Sequence, residues 1–272
     1  MGTTNPLVTL RESQLAREVQ SRIFPSVRPS IPGLDYFSDW RPASGVSGDY
    51  LDYFEMDEGS FLLAIGEVAA TGLQAALLTA SLHSIVRALR FAQAGSVAEF
   101  VETVDELFCE VCPDGCYATL FVGWYDPVSG RMHYVNAGHE PPFVLRKSGR
   151  QYRATRLESS GSLIGMLRKS TYREGVATLG PGDLLVAYTD GLCEATNLQG
   201  EEWGWRRFVE SVQIGGNQRA REIVARVFEA QDRFAAGAPQ FHDMTLWLGR
   251  VEETHSKPTL QLVESREEPV AA

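Results

Sequence analysis

Four acidic residues stand beside a glycine or at the edge of an apolar run, where short carboxylate side chains could be brought together. They are Asp49, Glu67, Asp190 and Asp243, the last of which directly follows His242. A rigid strand end can hold such a side chain in a fixed direction, and a neighbouring glycine lets the backbone come close to an ion or a phosphate. The chemistry that these residue types favour is the binding of a hard cation.

Electrostatic repulsion decides whether such carboxylates can meet. Two unit charges about 4 Å apart repel by roughly 4 kcal/mol at an effective dielectric near 20, so an ionised cluster needs cations. Mg²⁺ and Mn²⁺ take oxygen ligands and would neutralise it. Two such ions can hold a bridging water, acidify it and direct it at a phosphorus atom. Spacing alone leaves two interpretations open, a metal cluster or solvated carboxylates in turns.

The N-terminal region predicts a helix from about Thr9 to Phe24, because Thr9 and Glu12 have the spacing of a capping box. Apolar residues recur on one face of this helix, and prolines that cannot continue it follow. These are Leu15, Val19 and Ile23 on the helix and Pro25, Pro29 and Pro32 after it. The helix could couple the chain to another subunit or pack on its own domain.

Apolar runs separated by Gly/Pro turns predict the remaining elements. The predicted strands are 61–65, 118–125, 132–136, 142–146, 184–189 and 244–251, and the predicted helices follow Gly72 and span about 97–111 and 219–234. Together they favour one α+β domain at 33–252, with helices packed on antiparallel sheets. Residues 1–32 form the N-terminal helix and its Pro-rich connector, and we expect the charged tail 253–272 to be disordered.

Bulk composition excludes several classes of function. The net charge of −10 argues against a nucleic-acid-binding protein, because no basic stripe offsets phosphate repulsion. The N-terminus lacks the basic start and apolar run of a signal peptide, and no segment is apolar enough to span a bilayer. We therefore expect a cytoplasmic protein that contacts neither nucleic acid nor membrane.

Three of the four cysteines form the cluster Cys109, Cys112 and Cys116. A CxxC spacing can place two thiolates on one ion, but the fourth cysteine, Cys193, lies far along the chain. A complete thiolate site is not evident, so we expect reduced cysteines at the end of a helix and in the loop after it.

Five motifs resemble, in order, those of the PPM (PP2C-type) phosphatases, in the bacterial SpoIIE/RsbU-like branch. They are RPA…VSGDYLD at 41–52, NAGHEPP at 136–142, PGD at 181–183, YTDGLCEA at 188–195 and HDMT at 242–245. The helix before them, AREVQSRIFP at 16–25, is similar to the helix that opens this branch. Each motif is weak by itself, but the resemblance runs over about residues 14–251 and the order is specific.

The resemblance implies an antiparallel β-sandwich flanked by helices in four αββα layers, with metal ions at one end. It also implies hydrolysis of phosphoserine or phosphothreonine by metal-activated water, with no covalent enzyme intermediate and so no catalytic side-chain nucleophile. The implied metal positions are Asp49, Glu67, the backbone carbonyl of Val68, Asp190 and His242, with Asp243 in a supporting position. The cofactor would be two Mn²⁺ or Mg²⁺ ions, and the substrate a phosphorylated STAS-type (anti-anti-sigma) protein.

The sequence departs from the family pattern at two of these positions and at one neighbouring position. Glu67 stands for an aspartate, Ala70 for a glycine and His242 for the first aspartate of a D-D pair. Alanine would be strained if that glycine needs a positive φ, and imidazole suits Mn²⁺, Fe²⁺ or Zn²⁺ better than Mg²⁺. The altered site would be slower, would prefer a softer metal or would be inactive.

Two functions therefore compete. The retained Asp49 and Asp190 favour an active phosphatase, and the altered positions favour a phosphatase fold that binds a phosphoprotein without turnover. We favour the enzyme, and a homodimer through the N-terminal helix is one way in which it could be regulated.

Overall fold

The computed structural model describes residues 14–56, 59–90, 94–149 and 151–252. The strands are β1 Leu34–Arg41, β2 Asp49–Glu55, β3 Phe61–Val68, β4 Ala118–Asp126, β5 Arg131–Ala137, β6 Phe143–Ser148, β7 Gln151–Arg156, β8 Gly175–Thr178, β9 Leu184–Tyr188 and β10 Met244–Val251. The helices are α1 at 14–20, α2 Gly72–Leu89, α3 Val97–Val111, α4 Gly191–Glu194, α5 Gly204–Ile214 and α6 Ala220–Ala235.

The strands form two five-stranded sheets, which we call the first sheet, in the order β1-β10-β9-β6-β7, and the second sheet, in the order β2-β3-β4-β5-β8. All of the neighbouring strands pair antiparallel. The register of the second sheet places Asp49 opposite Glu67, and Glu67 opposite Thr119. Residues far apart in sequence thus meet at one end of the sheet.

Three apolar cores separate four layers. Helices α2 and α3 pack on the outer face of the second sheet, the two sheets pack on each other, and α5 and α6 cover the outer face of the first sheet. This arrangement is the α+β, four-layer αββα sandwich flanked by helices that the sequence motifs implied, and the fold prediction is confirmed.

Strand β3 shows why the central strands have continuous apolar sequences. Successive side chains point to opposite faces of a strand. Phe61, Leu63 and Ile65 therefore enter the core between the sheets, whereas Leu62 and Ala64 enter the core beneath α2 and α3. A strand covered on both faces needs apolar residues at nearly every position.

The N-terminal helix differs from its prediction. It ends at residue 20, before the prolines, and the predicted cap at Thr9 lies outside the described residues. Leu15 and Val19 are 53% and 64% exposed, so this apolar face is not packed on the described part of the chain. Within 14–56, 59–90, 94–149 and 151–252, no helix combines the length and apolar character needed to cross a bilayer.

Candidate functional site

The four acidic residues lie at one end of the sandwich, and both sheets contribute to them. Asp49 begins β2 and Glu67 lies at the end of β3, directly opposite it. Asp190 follows β9 and Asp243 precedes β10, and both of these strands belong to the first sheet. Antiparallel pairing brings these strand ends together, because a strand that starts at one edge of a sheet lies beside one that ends there.

Asp49 is the most enclosed member of the group, with 1% of its surface exposed. Its Oδ2 accepts hydrogen bonds from Thr189 Oγ1 at 2.9 Å and from Thr245 Oγ1 at 2.6 Å. Its backbone N–H donates to Ser47 Oγ at 3.0 Å. Thr245 lies in β10 of the first sheet and Thr189 directly follows β9 of that sheet, whereas Asp49 lies in the second, so one carboxylate oxygen ties the two sheets together.

Asp243 is held by the backbone. Its Oδ1 accepts a hydrogen bond from Ala43 N at 2.7 Å, and its Oδ2 accepts one from Gly48 N at 2.7 Å. Both oxygens therefore fix the segment that leads into β2. This geometry suits the supporting position that the resemblance implied.

His242 points to the outer side of the site. Its side chain is 55% exposed, and its Nε2 lies 3.8 Å from Glu194 Oε2. Both residues line a cleft of about 240 Å³ between α4, α6 and the segment before β10. A Cβ at Gly191 would lie 2.7 Å from His242 Cβ and 2.2 Å from the Asp243 carbonyl oxygen, so the turn after Asp190 needs glycine to pack there.

The acidic residues act on one another electrostatically. Burial raises the pKa of Asp49 to about 7, against the hydrogen bonds of Thr245 and Thr189, and the charges of Asp243 and Asp190 add to the rise. Burial raises the pKa of Glu67 to about 8, and the charges of Asp190 and Asp49 contribute in the same direction. The cluster thus concentrates negative charge in a poorly solvated place.

The donors suit a hard divalent cation in chemistry and charge. Carboxylate and carbonyl oxygens are the ligands that Mg²⁺ and Mn²⁺ prefer, and a cation would relieve the repulsion that adds to the effect of burial on these pKa values. The Val68 carbonyl oxygen accepts a hydrogen bond from Ala70 N at 2.8 Å, and a Cβ at Gly48 would lie 3.3 Å from it. As they stand, no three of the described His, Cys, Asp and Glu side chains are arranged to hold a metal ion, so the carboxylates would have to turn.

A hydrogen-bonded chain that the sequence did not reveal supports Glu67 from behind. His139 is 3% exposed, and its Nδ1 lies 3.0 Å from Thr119 Oγ1. The same hydroxyl oxygen accepts a hydrogen bond from the Glu67 N–H at 3.0 Å. Burial lowers the pKa of His139 to about 4, so its ring is neutral at pH 7. His139 is thus a buried, neutral member of the hydrogen-bonded chain behind Glu67.

Gln20 of α1 is a second contributor that the sequence did not single out. It is 6% exposed, its Nε2 donates to Ser47 O at 2.5 Å, and its Oε1 accepts from Ser47 N at 2.7 Å. Since Ser47 Oγ accepts from Asp49 N, the helix is linked to the site through one residue. Gln20 directly follows Val19, about 100° around the helix from it, and no motif singled it out.

Ala70 does not introduce the strain that its substitution for glycine suggested. Among the described residues other than glycine, only Lys169 and Ala236 have a positive φ, so Ala70 lies in an ordinary backbone region. It also packs against the core beneath α2 and α3. The backbone of the β3–α2 turn therefore tolerates a side chain at this position.

Comparison with known proteins extends these observations. The model of the family described as Stage II sporulation protein E (SpoIIE) matches residues 57–252. Protein IcfG of Synechocystis sp. is 27% identical over 261 residues, 86% of this chain and 40% of the relative. Phosphoserine phosphatase RsbP of Bacillus subtilis is 29% identical over 196 residues, 70% of this chain and 47% of the relative. The chain thus spans less than half the length of these two relatives.

Solved structures share the fold. The SiaA-PP2C domain of Pseudomonas aeruginosa superposes with a TM-score of 0.76 at 20% identity, over 89% of this chain and 96% of that domain. The catalytic domain of the serine/threonine protein phosphatase PstP, in complex with two manganese ions, gives a TM-score of 0.57 at 14% identity, over 81% of this chain and 99% of that domain. Because the SpoIIE model covers most of the chain and these folds agree, the protein belongs to the SpoIIE family of PP2C-type (PPM) phosphatases.

Proposed function

We propose that this chain hydrolyses phosphoserine or phosphothreonine on a partner protein, using two divalent cations, Mn²⁺ or Mg²⁺. The observation that carries the proposal is the carboxylate cluster at the end of the sandwich, in which Asp49 and Glu67 have raised pKa values because they are buried beside other carboxyls. Such a concentration of charge is costly without a cation. The name of the relative RsbP, a phosphoserine phosphatase, supports the same reaction.

Asp49, Glu67, the Val68 carbonyl and Asp190 would hold the cations. When bound, the ions would acidify a water molecule, which would then act as the nucleophile in place of a side chain. The two manganese ions in the PstP structure support this cofactor. His242 stays a predicted ligand, because its Nε2 faces Glu194 and would have to turn to bind a softer ion.

Neighbouring residues of the chain fix the oxygen atoms that would bind the cations. Thr189 and Thr245 fix one oxygen of Asp49, so the carboxylate has a set direction. Asp243 holds the segment before β2 through two backbone amides, and Gly48 places no side chain against the Val68 carbonyl. Fixed acceptors cost no reorganisation when a substrate arrives.

The partner would be a phosphorylated STAS-type protein, as in the RsbU-like branch, and the protein would act in the cytoplasm. The exposed Leu15 and Val19 on α1 support a homodimer through this helix, because an apolar helical face is commonly covered by a partner. Neither nucleic acid nor membrane is part of the proposal.

A phosphoprotein-binding module without turnover is the second candidate. Position 242 carries an imidazole that faces Glu194, and both oxygens of Asp243 already accept backbone hydrogen bonds. The fold therefore offers fewer free carboxylates than the family pattern. A module of this kind would bind a phosphorylated partner but release no phosphate.

Hydrolysis of p-nitrophenyl phosphate and of a phosphoserine peptide, with Mg²⁺, Mn²⁺ and Zn²⁺ supplied separately, distinguishes the two candidates. Turnover that Asp190→Asn abolishes supports the enzyme. Phosphopeptide binding with no turnover above that of the variant supports the module, and neither binding nor turnover rejects both. If the departures only weaken the site, the double change Glu67→Asp and His242→Asp raises Mg²⁺-dependent turnover.

A further inference from the structure

Three cysteines border one cleft beside the turn between β3 and α2. Cys109 lies in the last turns of α3, Cys112 caps that helix, and Cys116 follows a turn closed by its N–H on Pro113 O at 3.0 Å. All three are free and partly exposed. The cleft has a volume of about 320 Å³, and Gly165, Met166 and Arg168 also line it. It is separate from the carboxylate cluster.

The closest interactions single out Cys112 and Cys116. Cys116 Sγ accepts a hydrogen bond from Gln74 Nε2 at 3.2 Å, and Cys112 Sγ lies against Gly165, 3.4 Å from where a Cβ would stand. Burial raises the pKa of Cys112 to about 11, and among the neighbouring charges Cys116 contributes more than Cys109. Both thiols line the same cleft, and only the three-residue turn that the Cys116 N–H closes on Pro113 O separates them in sequence.

We propose that Cys112 and Cys116 are a reversible dithiol–disulfide pair, oxidised by a low-molecular-weight disulfide such as oxidised glutathione. The Cys116 thiolate attacks one sulfur of the reagent, forms a mixed disulfide and expels a thiolate that takes up the proton Cys116 has lost. The Cys112 thiolate then attacks Cys116 Sγ, forms the intrachain bond and expels the second glutathione thiolate, which takes up the proton of Cys112. Two protein thiols are oxidised, and one reagent disulfide is reduced to two thiols.

Two features of the site set this order. A hydrogen bond donated to a sulfur stabilises its thiolate, and Cys116 receives one from Gln74. Cys112 is the weaker nucleophile, because burial raises its pKa and so leaves less of it as thiolate. Its attack is intramolecular, however, and this raises its effective concentration. A metal is the weaker alternative, since no three metal-binding side chains of the described chain are arranged to hold an ion.

The position of the pair gives the bond a structural consequence. Tyr117 O, next to Cys116, accepts the N–H of Ala69 at 2.9 Å, and Ala118 pairs with Val68 in the sheet. Oxidation would alter the sulfur that accepts the hydrogen bond of Gln74, in the first turn of α2. The bond would therefore change the support of the β3–α2 turn. The chemistry itself does not depend on the proposed phosphatase function.

The test is thiol mapping of the full chain after incubation with oxidised glutathione, by alkylation and peptide mass analysis. We expect loss of two hydrogens in the peptide that contains Cys112 and Cys116, restored by dithiothreitol. The variant Cys112→Ser should keep one glutathione on Cys116. The control variant Cys193→Ser, which alters a thiol packed against the core beneath α5 and α6, should behave as the unaltered chain. A bond to Cys109, a lasting glutathione on Cys116 in the unaltered chain, or no reaction of either thiol would overturn the proposal.

Discussion

At the scale of single residues, the site places buried carboxyls where they repel one another. Asp49 is almost fully enclosed, yet its partners are hydroxyl groups, and the charges of Asp243 and Asp190 raise its pKa further. A buried carboxylate that served only to stabilise the fold would be paired with a positively charged side chain. Residues that lower stability in this way are typical of functional sites.

The variant Asp49→Asn should separate stability from metal binding. An amide oxygen can still accept from Thr189 and Thr245, and the repulsion is removed, so without metal the free energy of unfolding should rise by on the order of 1 kcal/mol. Affinity for Mn²⁺ should fall by at least tenfold. Denaturation in EDTA and calorimetric titration measure the two quantities. The exposed Glu158→Gln is the matched control, and a loss of stability in Asp49→Asn would contradict the expectation.

His139 should make stability depend on pH. The unfolded chain protonates this imidazole near pH 6.5, whereas burial keeps the folded ring neutral down to about pH 4. The folded pKa is the lower one, so its contribution is complete above about pH 6.5 and declines as the pH falls toward 4. The variant His139→Gln should therefore lose stability less steeply over this range, by up to about 3 kcal/mol. Equal slopes in urea denaturation at stepped pH would reject this assignment.

At the scale of elements, single polar contacts join helices to the strands that carry the site. Gln20 fixes α1 to Ser47, two residues before Asp49. Asp52 of β2 is fully buried, and its carboxylate accepts hydrogen bonds from Nε and Nη2 of Arg87 in α2, each at 2.5 Å. Both links end on residues close to Asp49 in sequence, so movement of either helix would shift the position of Asp49.

Replacing Gln20 should release α1 and loosen the site. The variant Gln20→Leu leaves the buried N–H and carbonyl of Ser47 without partners, which costs about 1–3 kcal/mol for each group. We also expect a several-fold loss of Mn²⁺ affinity, because Ser47 Oγ holds the Asp49 N–H. Thermal unfolding and calorimetric titration test this, with the exposed Arg17→Gln on the same helix as control. Unchanged affinity in a destabilised variant would limit Gln20 to a structural role.

Arg87→Met should be the more destabilising change, because the buried carboxylate of Asp52 would lose its guanidinium partner and keep the Tyr53 N–H and His83 Nδ1, at 3.5 Å. Removing one partner of a buried ion pair costs about 3–5 kcal/mol. The double variant Asp52→Leu with Arg87→Met should recover most of that loss, since no buried charge remains. Chemical denaturation of the two variants measures the difference. A double variant as unstable as the single one would show that packing, and not charge, sets the cost.

The elements that the sequence predicted are the interior strands. β3, β4, β5, β6, β9 and β10 all have neighbours on both sides, whereas the unpredicted β1, β2, β7 and β8 are the sheet edges. Edge strands carry polar residues that blunt pairing with other chains, so they lack the long apolar runs from which the interior strands were predicted. β7, with the sequence QYRATR, shows this pattern.

The site was predictable in its residue types but not in its contacts. Asp49 and Asp190 stood out by motif, yet the threonines that fix Asp49 lie 140 and 196 residues away in sequence. No local pattern encodes such a contact, because it follows from how the two sheets pack. The outward direction of His242 is of the same kind, since it depends on Glu194 in another element.

At the scale of the whole molecule, the carboxylate cluster joins the two halves of the sandwich. Asp49 and Glu67 belong to the second sheet, and Asp190 and Asp243 flank strands of the first. The chain also has a net charge of −10, so its cation-free state carries unrelieved repulsion at the sheet-to-sheet boundary. Cations bound there would hold together layers that otherwise repel at this end.

Mn²⁺ should therefore stabilise the molecule as a whole and not only the end that carries the carboxylate cluster. A ligand that binds only the folded state adds about 2.7 kcal/mol when its concentration is a hundredfold above the dissociation constant. The thermal midpoint of the full chain should rise with Mn²⁺ concentration and return to its starting value in EDTA. The double variant Asp49→Asn with Asp190→Asn should show no such rise. An equal rise in that variant would place the ions elsewhere on the acidic surface, whereas its loss would place them between Asp49 of the second sheet and Asp190 of the first.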